Sequence, residues 1–477
     1  MTQTTKIEEG KRVFVNRTLN LNAIKLVGFD MDYTTVTYNV PAFEELVHTL
    51  VLEKLIKERG YPSEISQLKF DPQFIVRGLV LDVELGNILK VNCFGYVKRS
   101  SHGTKFLTYE EQRKAYRAPA IDLMDSRYYI VHTLFSLAEV GLFAQLVTMF
   151  DSLKNPQSYR QIFNDIRACV DDVHQEGTMK TTVIKHPEKY LIRDEGIVEA
   201  LKKLKRNGKK LALITNSDYD YSKSAMNYCF FPYLDQPWQD LFDIIIVASN
   251  KPAFFQGNAR FLKVDRQAGY LSNFYEPLRW GGIYQGGNAR TFEKDLGLNP
   301  SEILYLGDHL YGDVVTLKEA IGWRTGLIVQ ELEQEVQGLV ESLETQSQLF
   351  NKMIEKEKLE DRMYELKEQL VATKDTAENK KIDKERDSIR DKLEKYDDEL
   401  RHLITAEQKN TNPYWGEIMR AGIEESRFAP LVERYACIYT SNVANLRFYS
   451  PFKYFRPSRR LLAHDPHPLR DLSHADE

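Results

Sequence analysis

Ile24-Lys25-Leu26-Val27-Gly28-Phe29-Asp30-Met31-Asp32-Tyr33-Thr34 is the stretch from which the fold follows. An apolar run suited to a buried strand, Ile24–Asp30, stops at two carboxylates two residues apart, as the carboxyl edge of a parallel strand does. Once the extended run breaks into a loop, both acids can face one cleft. Like charges that close repel, so the pair needs a cation, a shared proton or both. One acid can then stay ionised as nucleophile or ligand while the other serves as general acid. A lone D-x-D also occurs in loops of no special function.

Three further apolar runs also end at polar clusters: Lys210–Thr215, Phe242–Ala248 and Ile303–Gly307. Helical patterns, notably Gly196–Arg206 and Tyr221–Phe230, flank the second. Strands alternating with helices predict a doubly wound α/β sheet with its ligand site at the carboxyl strand ends. The second run closes on Ile214-Thr215-Asn216-Ser217-Asp218, suited to cradling a phosphate or to capping a helix. After the third comes Ser249-Asn250-Lys251-Pro252, whose lysine can neutralise a phosphate or simply be solvated. The fourth ends in Gly307-Asp308-His309-Leu310-Tyr311-Gly312-Asp313, where two carboxylates can converge on a hard cation such as Mg²⁺.

The spacing divides the chain. Residues 1–40 and 190–338 form the expected discontinuous core, and 41–189 a cap insertion far longer than a crossover helix needs. Gln256 to Gly287 reads as a β-excursion or mobile loop. Residues 339–477 form a C-terminal part. Within it Leu359, Met363, Leu366 and Leu370, then Ile382, Ile389, Leu393, Tyr396, Leu400 and Leu403, are seams of a coiled-coil hairpin. Phe448 to Arg460 interleaves aromatic and basic residues, which can stack on single strands, but packing of the rings on the core is favoured. A net charge of −4 excludes nucleic-acid binding through overall basicity. Four widely separated cysteines argue against zinc ribbons and disulfide frameworks and fit a reducing cytoplasm. The start lacks a signal-peptide pattern, and Leu134–Phe150, interrupted by Ser136, Glu139 and Gln145, reads as a buried helix rather than a membrane span.

D-x-D, a Thr/Ser cradle, Lys and G-D-x(4)-D follow one another in that order, each after an expected strand. This series resembles the haloacid dehalogenase superfamily of aspartate-nucleophile phosphatases. Gly28-Phe29-Asp30-Met31-Asp32-Tyr33-Thr34, Thr215-Asn216-Ser217-Asp218-Tyr219, Lys251-Pro252-Ala253-Phe254-Phe255 and Gly307 to Asp313 further resemble the cytosolic purine 5′-nucleotidase family. Gly322-Trp323-Arg324-Thr325, and Val13, Asn16 and Arg17 near the start, also match, and the likeness thins after about residue 340.

The resemblance implies roles. Asp30 would be the nucleophile and Asp32 the general acid and base. Mg²⁺ would be held by Asp30, the Asp32 backbone carbonyl and Asp308, with Asp313 as ligand or close neighbour. Thr215, Asn216, Ser217 and Lys251 would bind the phosphoryl oxygens. Arg167, Asp171 and His174 fall at i, i+4 and i+7, which spacing alone reads as a polar helix face. The family's nucleotide-binding residues fall on them and on Lys180. The implied substrates are purine nucleoside monophosphates, with IMP and GMP preferred and phosphotransfer to a nucleoside as a second outcome. A homotetramer and a nucleoside triphosphate effector are implied as well, with no nucleic-acid or membrane partner. The alternatives are a phosphatase for another phosphorylated metabolite, and a coiled-coil scaffold that uses the hairpin.

Overall fold

The computed structural model describes residues 7–117, 120–153, 158–373, 375–408 and 410–460. Ten strands make its central sheet. In chain order they are β1 (Phe14–Val15), β2 (Leu26–Phe29), β3 (Lys210–Ile214), β4 (Ile244–Val247), β5 (Phe261–Val264), β6 (Leu271–Asn273), β7 (Ile283–Gly286), β8 (Ile303–Gly307), β9 (Arg324–Ile328) and β10 (Ile438–Thr440). Their spatial order is β1-β10-β9-β8-β2-β3-β4-β7-β5-β6. From β10 to β7 every pairing is parallel, and antiparallel strands close both ends. β2 lies in the middle, between β8 and β3, so the Asp30 loop emerges beside the ends of both.

Eight helices matter for the site: α1 (Val40–Arg59), α2 (Leu137–Asp151), α3 (Tyr159–Gln175), α4 (Thr178–Lys185), α5 (Glu195–Arg206), α6 (Tyr219–Phe230), α7 (Leu343–Ala372) and α8 (Thr376–Gln408). Successive residues of β2 point to opposite faces, as the pleat requires. Val27 and Phe29 join one apolar cluster with Phe43 and Val47 of α1, Phe143 of α2 and Ile166 of α3. Leu26 joins Ile214, Ile246, Tyr305 and Trp323 on the other face. The cap helices α1–α4 are thus continuous with one face of the core. The cap also carries a five-stranded sheet, Lys105–Phe106, Val97–His102, Asn87–Val91, Val80–Asp82 and Tyr128–Ile130 in spatial order, antiparallel throughout.

The four expected strands are present, trimmed by at most two residues at either end. The helical stretch Leu134–Asp151, α2 with the 3-10 turn before it, is long and apolar enough to cross a membrane, but 72% of it is buried inside the molecule. The 256–287 excursion is the antiparallel pair β5–β6 leading into β7. α7 and α8 pair as the expected hairpin, burying Leu366, Ile382 and Ile389 against Leu359, Met363, Leu370 and Leu393. Tyr396 sits outside this cluster and donates to Glu355 at 2.8 Å.

One boundary needs correction. Of the expected C-terminal unit 339–477, the described residues beyond the hairpin return to the core, where β10 inserts between β9 and β1. Cys437 N–H donates to the Thr325 carbonyl at 2.9 Å, and Thr325 Oγ1 donates to the Tyr435 carbonyl at 2.5 Å. The aromatic and basic segment likewise packs on the core. Phe455 is buried opposite Leu19, while Phe448, Phe452 and Tyr454 stay partly exposed under cations such as Lys209 and Arg456.

The hairpin leaves and rejoins the body at neighbouring points, where Asn410 Nδ2 donates to Ser342 Oγ at 2.8 Å. Replacing α7–α8 by a short glycine linker is therefore expected to leave a cooperatively folding protein, whereas truncation after Asn412 removes β10 and abolishes cooperative melting. Thermal denaturation of both variants checks this, and a truncated chain that still melts cooperatively contradicts it.

Candidate active site

The Asp30 loop is wound tightly at the end of β2. Asp30 N–H continues the ladder to the Leu306 carbonyl at 2.9 Å, after which Thr34, Thr35 and Val36 all donate to the Met31 carbonyl. Tyr33 sits at φ 54°, a left-handed conformation that typically costs a non-glycine residue about 1–3 kcal/mol. The surroundings over-determine it. Its buried ring lies 4.6 Å from Phe135 and 4.8 Å from Tyr38, and its hydroxyl donates to Glu44 at 3.3 Å. Glu44 also accepts from the Ala138 N–H at 2.8 Å, tying the loop to α2. Burial pushes the Glu44 carboxyl up to about 8, against the pull of those two bonds.

The two acids have separate environments. Asp30 Oδ1 accepts from the Met31 N–H at 2.7 Å and lies 2.9 Å from Lys251 Nζ. Asp32 accepts from Tyr38 OH at 2.6 Å on one oxygen and from Ser217 Oγ at 2.7 Å on the other. Burial raises both carboxyls, opposed at Asp30 chiefly by Lys251 and at Asp32 by Tyr38 and Ser217.

Lys251 is the hub. Besides Asp30, its ammonium reaches Asp313 Oδ1 and the Tyr305 hydroxyl, each at 2.8 Å. Tyr305 in turn donates to the Ile214 carbonyl at 2.7 Å. Burial alone would lower the lysine, but the two carboxylates outweigh it and raise it. Asn216 fixes the loop that carries Lys251. Its Oδ1 accepts from the Lys251 N–H at 2.6 Å and from Ser249 Oγ at 3.0 Å, and its Nδ2 donates to the Lys251 carbonyl at 3.0 Å. Thr215 Oγ1 accepts from the Ser217 N–H at 3.1 Å. Of the expected cradle, Ser217 therefore touches Asp32 and Asn216 braces the lysine loop.

Asp30, Asp308 and Asp313 bring one carboxylate oxygen each within 4.8 Å of the others, all buried. Lys251 pairs directly with two of the three acids, and Asp308 Oδ2 is buried without a hydrogen-bond partner. Burial and the two neighbouring carboxylates push Asp308 well up. An excess of hard oxygen donors with an orphaned carboxylate oxygen fits Mg²⁺. Gly307 permits the close approach, because a Cβ there would meet Asp313 Oδ2 at 2.3 Å. The Asp32 side chain, spent on Tyr38 and Ser217, stands outside the cluster, which leaves its backbone carbonyl as the group it could offer.

On α3, Arg167 donates to buried Glu139 and to Tyr129 OH, both at 3.0 Å, with Asp171 at 3.9 Å. The Arg167 and Asp171 side chains remain 44% and 56% exposed, so both can still meet a ligand. His174 Nδ1 bonds the Val170 carbonyl at 2.7 Å, and its ring lies 6.2 Å from Phe135, the same ring that packs on Tyr33. Lys180 Nζ bonds Asp218, the residue that caps α6, at 2.6 Å. Sequence reasoning missed Tyr38, Tyr305, Glu139 and Phe135. Two of them had a signal: a tyrosine in an aliphatic strand and an acid in an apolar helix each require a buried partner.

The profile of the 5′ nucleotidase family matches residues 13–467. The chain belongs to the 5′ nucleotidase family. A 5′-nucleotidase domain-containing protein of Dictyostelium discoideum is 32% identical over 465 residues, covering 95% of this chain and 74% of that protein. Among solved structures, a haloacid dehalogenase-like family hydrolase of Xanthomonas campestris aligns at 14% identity over 66% of this chain and 86% of its own, with a TM-score of 0.25. CbbY of Rhodobacter sphaeroides, in complex with phosphate, aligns at 14% identity over 64% and 86%, with a TM-score of 0.23. The fold assignment rests on strand order and family membership rather than on these two alignments.

Glu44 also makes a testable statement about stability. Its folded-state pKa lies above its unfolded one, so between about 4.5 and about 8 the native protein keeps a proton that the unfolded chain has released. Stability contributed by this group is therefore full at low pH and falls as pH rises through that window. Glu44→Gln is expected to remove one proton from the linkage, flattening the slope of unfolding free energy by about 1.4 kcal/mol per pH unit. Urea melts between pH 5 and 8 check this; an unchanged slope refutes it.

Proposed function

We propose that this member of the 5′ nucleotidase family is a cytoplasmic, Mg²⁺-dependent hydrolase of purine nucleoside 5′-monophosphates that prefers IMP and GMP. The observation that carries the reading is the division of labour between the acids. Asp30 shares a buried cluster with Lys251, Asp308 and Asp313, while Asp32 is held apart by Tyr38 and Ser217. Mg²⁺ held by Asp30, Asp308, Asp313 and the Asp32 carbonyl would offset the negative charge of nucleophile and phosphate.

In the proposed first step the Asp30 oxygen not held by Met31 bonds to phosphorus, and the bond from phosphorus to the ribose O5′ breaks. Asp32, whose carboxyl burial raises, gives its proton to that leaving oxygen. Asp32 then takes a proton from a water whose oxygen bonds to phosphorus, and the Asp30–phosphorus bond breaks to release phosphate. A nucleoside 5′-hydroxyl in place of that water yields phosphotransfer instead. Lys251 and Thr215 meet the phosphoryl oxygens, and Ser217 joins them by turning its hydroxyl from Asp32 to the phosphate.

For the base, Arg167 would donate to O6 or N7 and Asp171 would accept from N1–H, with His174 and Lys180 towards the sugar and phosphate. Adenine reverses the pattern at positions 1 and 6 and leaves both side chains unpaired, at about 1–3 kcal/mol each. The four free cysteines, three of them buried, fit the cytoplasmic setting. A homotetramer and a nucleoside triphosphate effector complete the proposal.

The test is phosphate release from IMP, GMP, AMP, CMP, UMP and p-nitrophenyl phosphate, with Mg²⁺ or EDTA. Activity is expected to be highest on IMP and GMP, about tenfold or more above AMP, and lost with EDTA or in Asp30→Asn. Comparable turnover of AMP and GMP sinks the base reading. Activity on p-nitrophenyl phosphate alone retains the acidic centre and discards the nucleotide substrate.

A further inference from the structure

We propose that Arg77, a residue of the cap, is a positioning residue for the Mg²⁺ site. It pins the backbone from which Asp308 projects, so the cap helps build the metal centre as well as covering substrate. This rests on Asp308 being a ligand, as argued above.

The Arg77 side chain is fully buried. It lies just ahead of the cap strand Val80–Asp82, where Gly78 N–H anchors the chain to the Val131 carbonyl at 2.8 Å. Its guanidinium crosses to the core and meets three groups there. Nη1 donates to the Asp308 carbonyl at 3.0 Å and is 3.4 Å from the Ile328 carbonyl. Nε donates to Glu331 Oε1 at 2.8 Å, and Nη2 to Glu331 Oε2. One planar fork therefore holds the ends of two neighbouring strands, β8 and β9, and is itself fixed by a bidentate carboxylate.

Two arguments turn this contact into a role. First, Asp308 Oδ2 has no hydrogen-bond partner, so protein bonding at that oxygen does not aim the carboxylate. With that oxygen unheld, the position of the Asp308 backbone bears on where the carboxylate points, and the bond from Arg77 restrains that backbone. Second, burying a guanidinium costs several kcal/mol in desolvation, and a buried ion pair is often replaceable by apolar side chains without loss of stability. An arginine retained here for stability alone would be dispensable in that way. One that aims a ligand would not be. Lysine cannot substitute, because a single ammonium lacks the fork that spans a carbonyl and both oxygens of Glu331.

The experiment uses the full chain and reads Mg²⁺ binding directly, by calorimetry and by the Mg²⁺-dependent rise in melting temperature, which follows the ratio of ligand concentration to Kd. Steady-state kinetics on IMP accompany it. Arg77→Lys is expected to raise the Kd for Mg²⁺ about tenfold or more and to lower kcat, with KM for IMP within about twofold. The paired variant Arg77→Met with Glu331→Met is expected to fold and to bind Mg²⁺ equally weakly, which separates aiming from stability. Glu331→Gln, which leaves Arg77 on the Asp308 carbonyl, is expected to be intermediate. If neither Arg77 variant folds, Glu331→Gln decides: weakened Mg²⁺ binding upholds the proposal and wild-type binding overturns it. Folded Arg77 variants with wild-type Mg²⁺ affinity and kcat overturn it too, and leave the functional reading standing. A wild-type protein that neither binds Mg²⁺ nor releases phosphate overturns that reading, and this inference with it.

Discussion

The ammonium of Lys251 lies within the buried carboxylate cluster and reaches Asp30 and Asp313 directly. The loops that build the centre are organised around keeping it there. Asn216, from the end of β3, holds the lysine's loop by three hydrogen bonds. Tyr305, from inside β8, accepts from the ammonium and donates its own O–H to the Ile214 carbonyl. Gly28 in β2 makes room for that ring, since a Cβ there would meet Tyr305 Cδ2 at 2.9 Å. Removing one partner from such a cluster leaves an uncompensated buried charge, a larger penalty than the net worth of the pair. That asymmetry explains why small groups far from any substrate, such as the hydrogen atom of Gly28, are constrained by the chemistry.

The cap cannot be described as a lid resting on a finished site. Glu44 of α1 holds Tyr33, and Phe135 packs on the same ring while also facing His174. The strained left-handed turn after Asp32 is therefore maintained by residues of the insertion. The tyrosine pair Tyr38–Tyr221, 2.7 Å apart, orders the hydroxyl that meets Asp32. The Asp30 loop, Asp32 and the helix α3 thus share one network of rings and buried hydroxyls, so the residues proposed to meet the base and the acid proposed to transfer the proton are packed through common neighbours.

The parts of this molecule legible in the sequence are those where one local signal suffices. Aliphatic runs ending in polar clusters mark the four core strands, two of them followed by the acidic loops, because a buried parallel strand has no polar face to disguise it. The hairpin was legible from its heptads. The strands β9 and β10 were not, for opposite reasons. Arg324–Ile328 opens on a charge and contains Thr325 and Gly326, and Ile438–Thr440 is three residues long, so neither carries a pattern of its own. Both exist because neighbours on each side supply hydrogen bonds. The site shows the same split. Asp30, Asp32, Lys251, Asp308 and Asp313 stand in readable motifs, whereas Tyr38, Glu139 and Arg77 matter only through partners 6, 28 and 231 residues away.

Arg167 illustrates what spacing alone leaves out. A helix face with Arg and Asp at i and i+4 invites an intrahelical pair, yet the two side chains are 3.9 Å apart while Arg167 lies 3.0 Å from Glu139. Glu139 is buried, and its carboxyl is pushed up to about 7 by that burial, with Arg167 pulling the other way. A guanidinium held from beneath by a buried acid keeps its orientation at little entropic cost when a ligand arrives, because the side chain is already ordered. The exposed carboxylate of Asp171 is then free for the acceptor role proposed for it instead of satisfying its neighbour. Glu139 thus separates donor from acceptor on one helix face, and a face with both available is what a base with paired acceptor and donor positions requires.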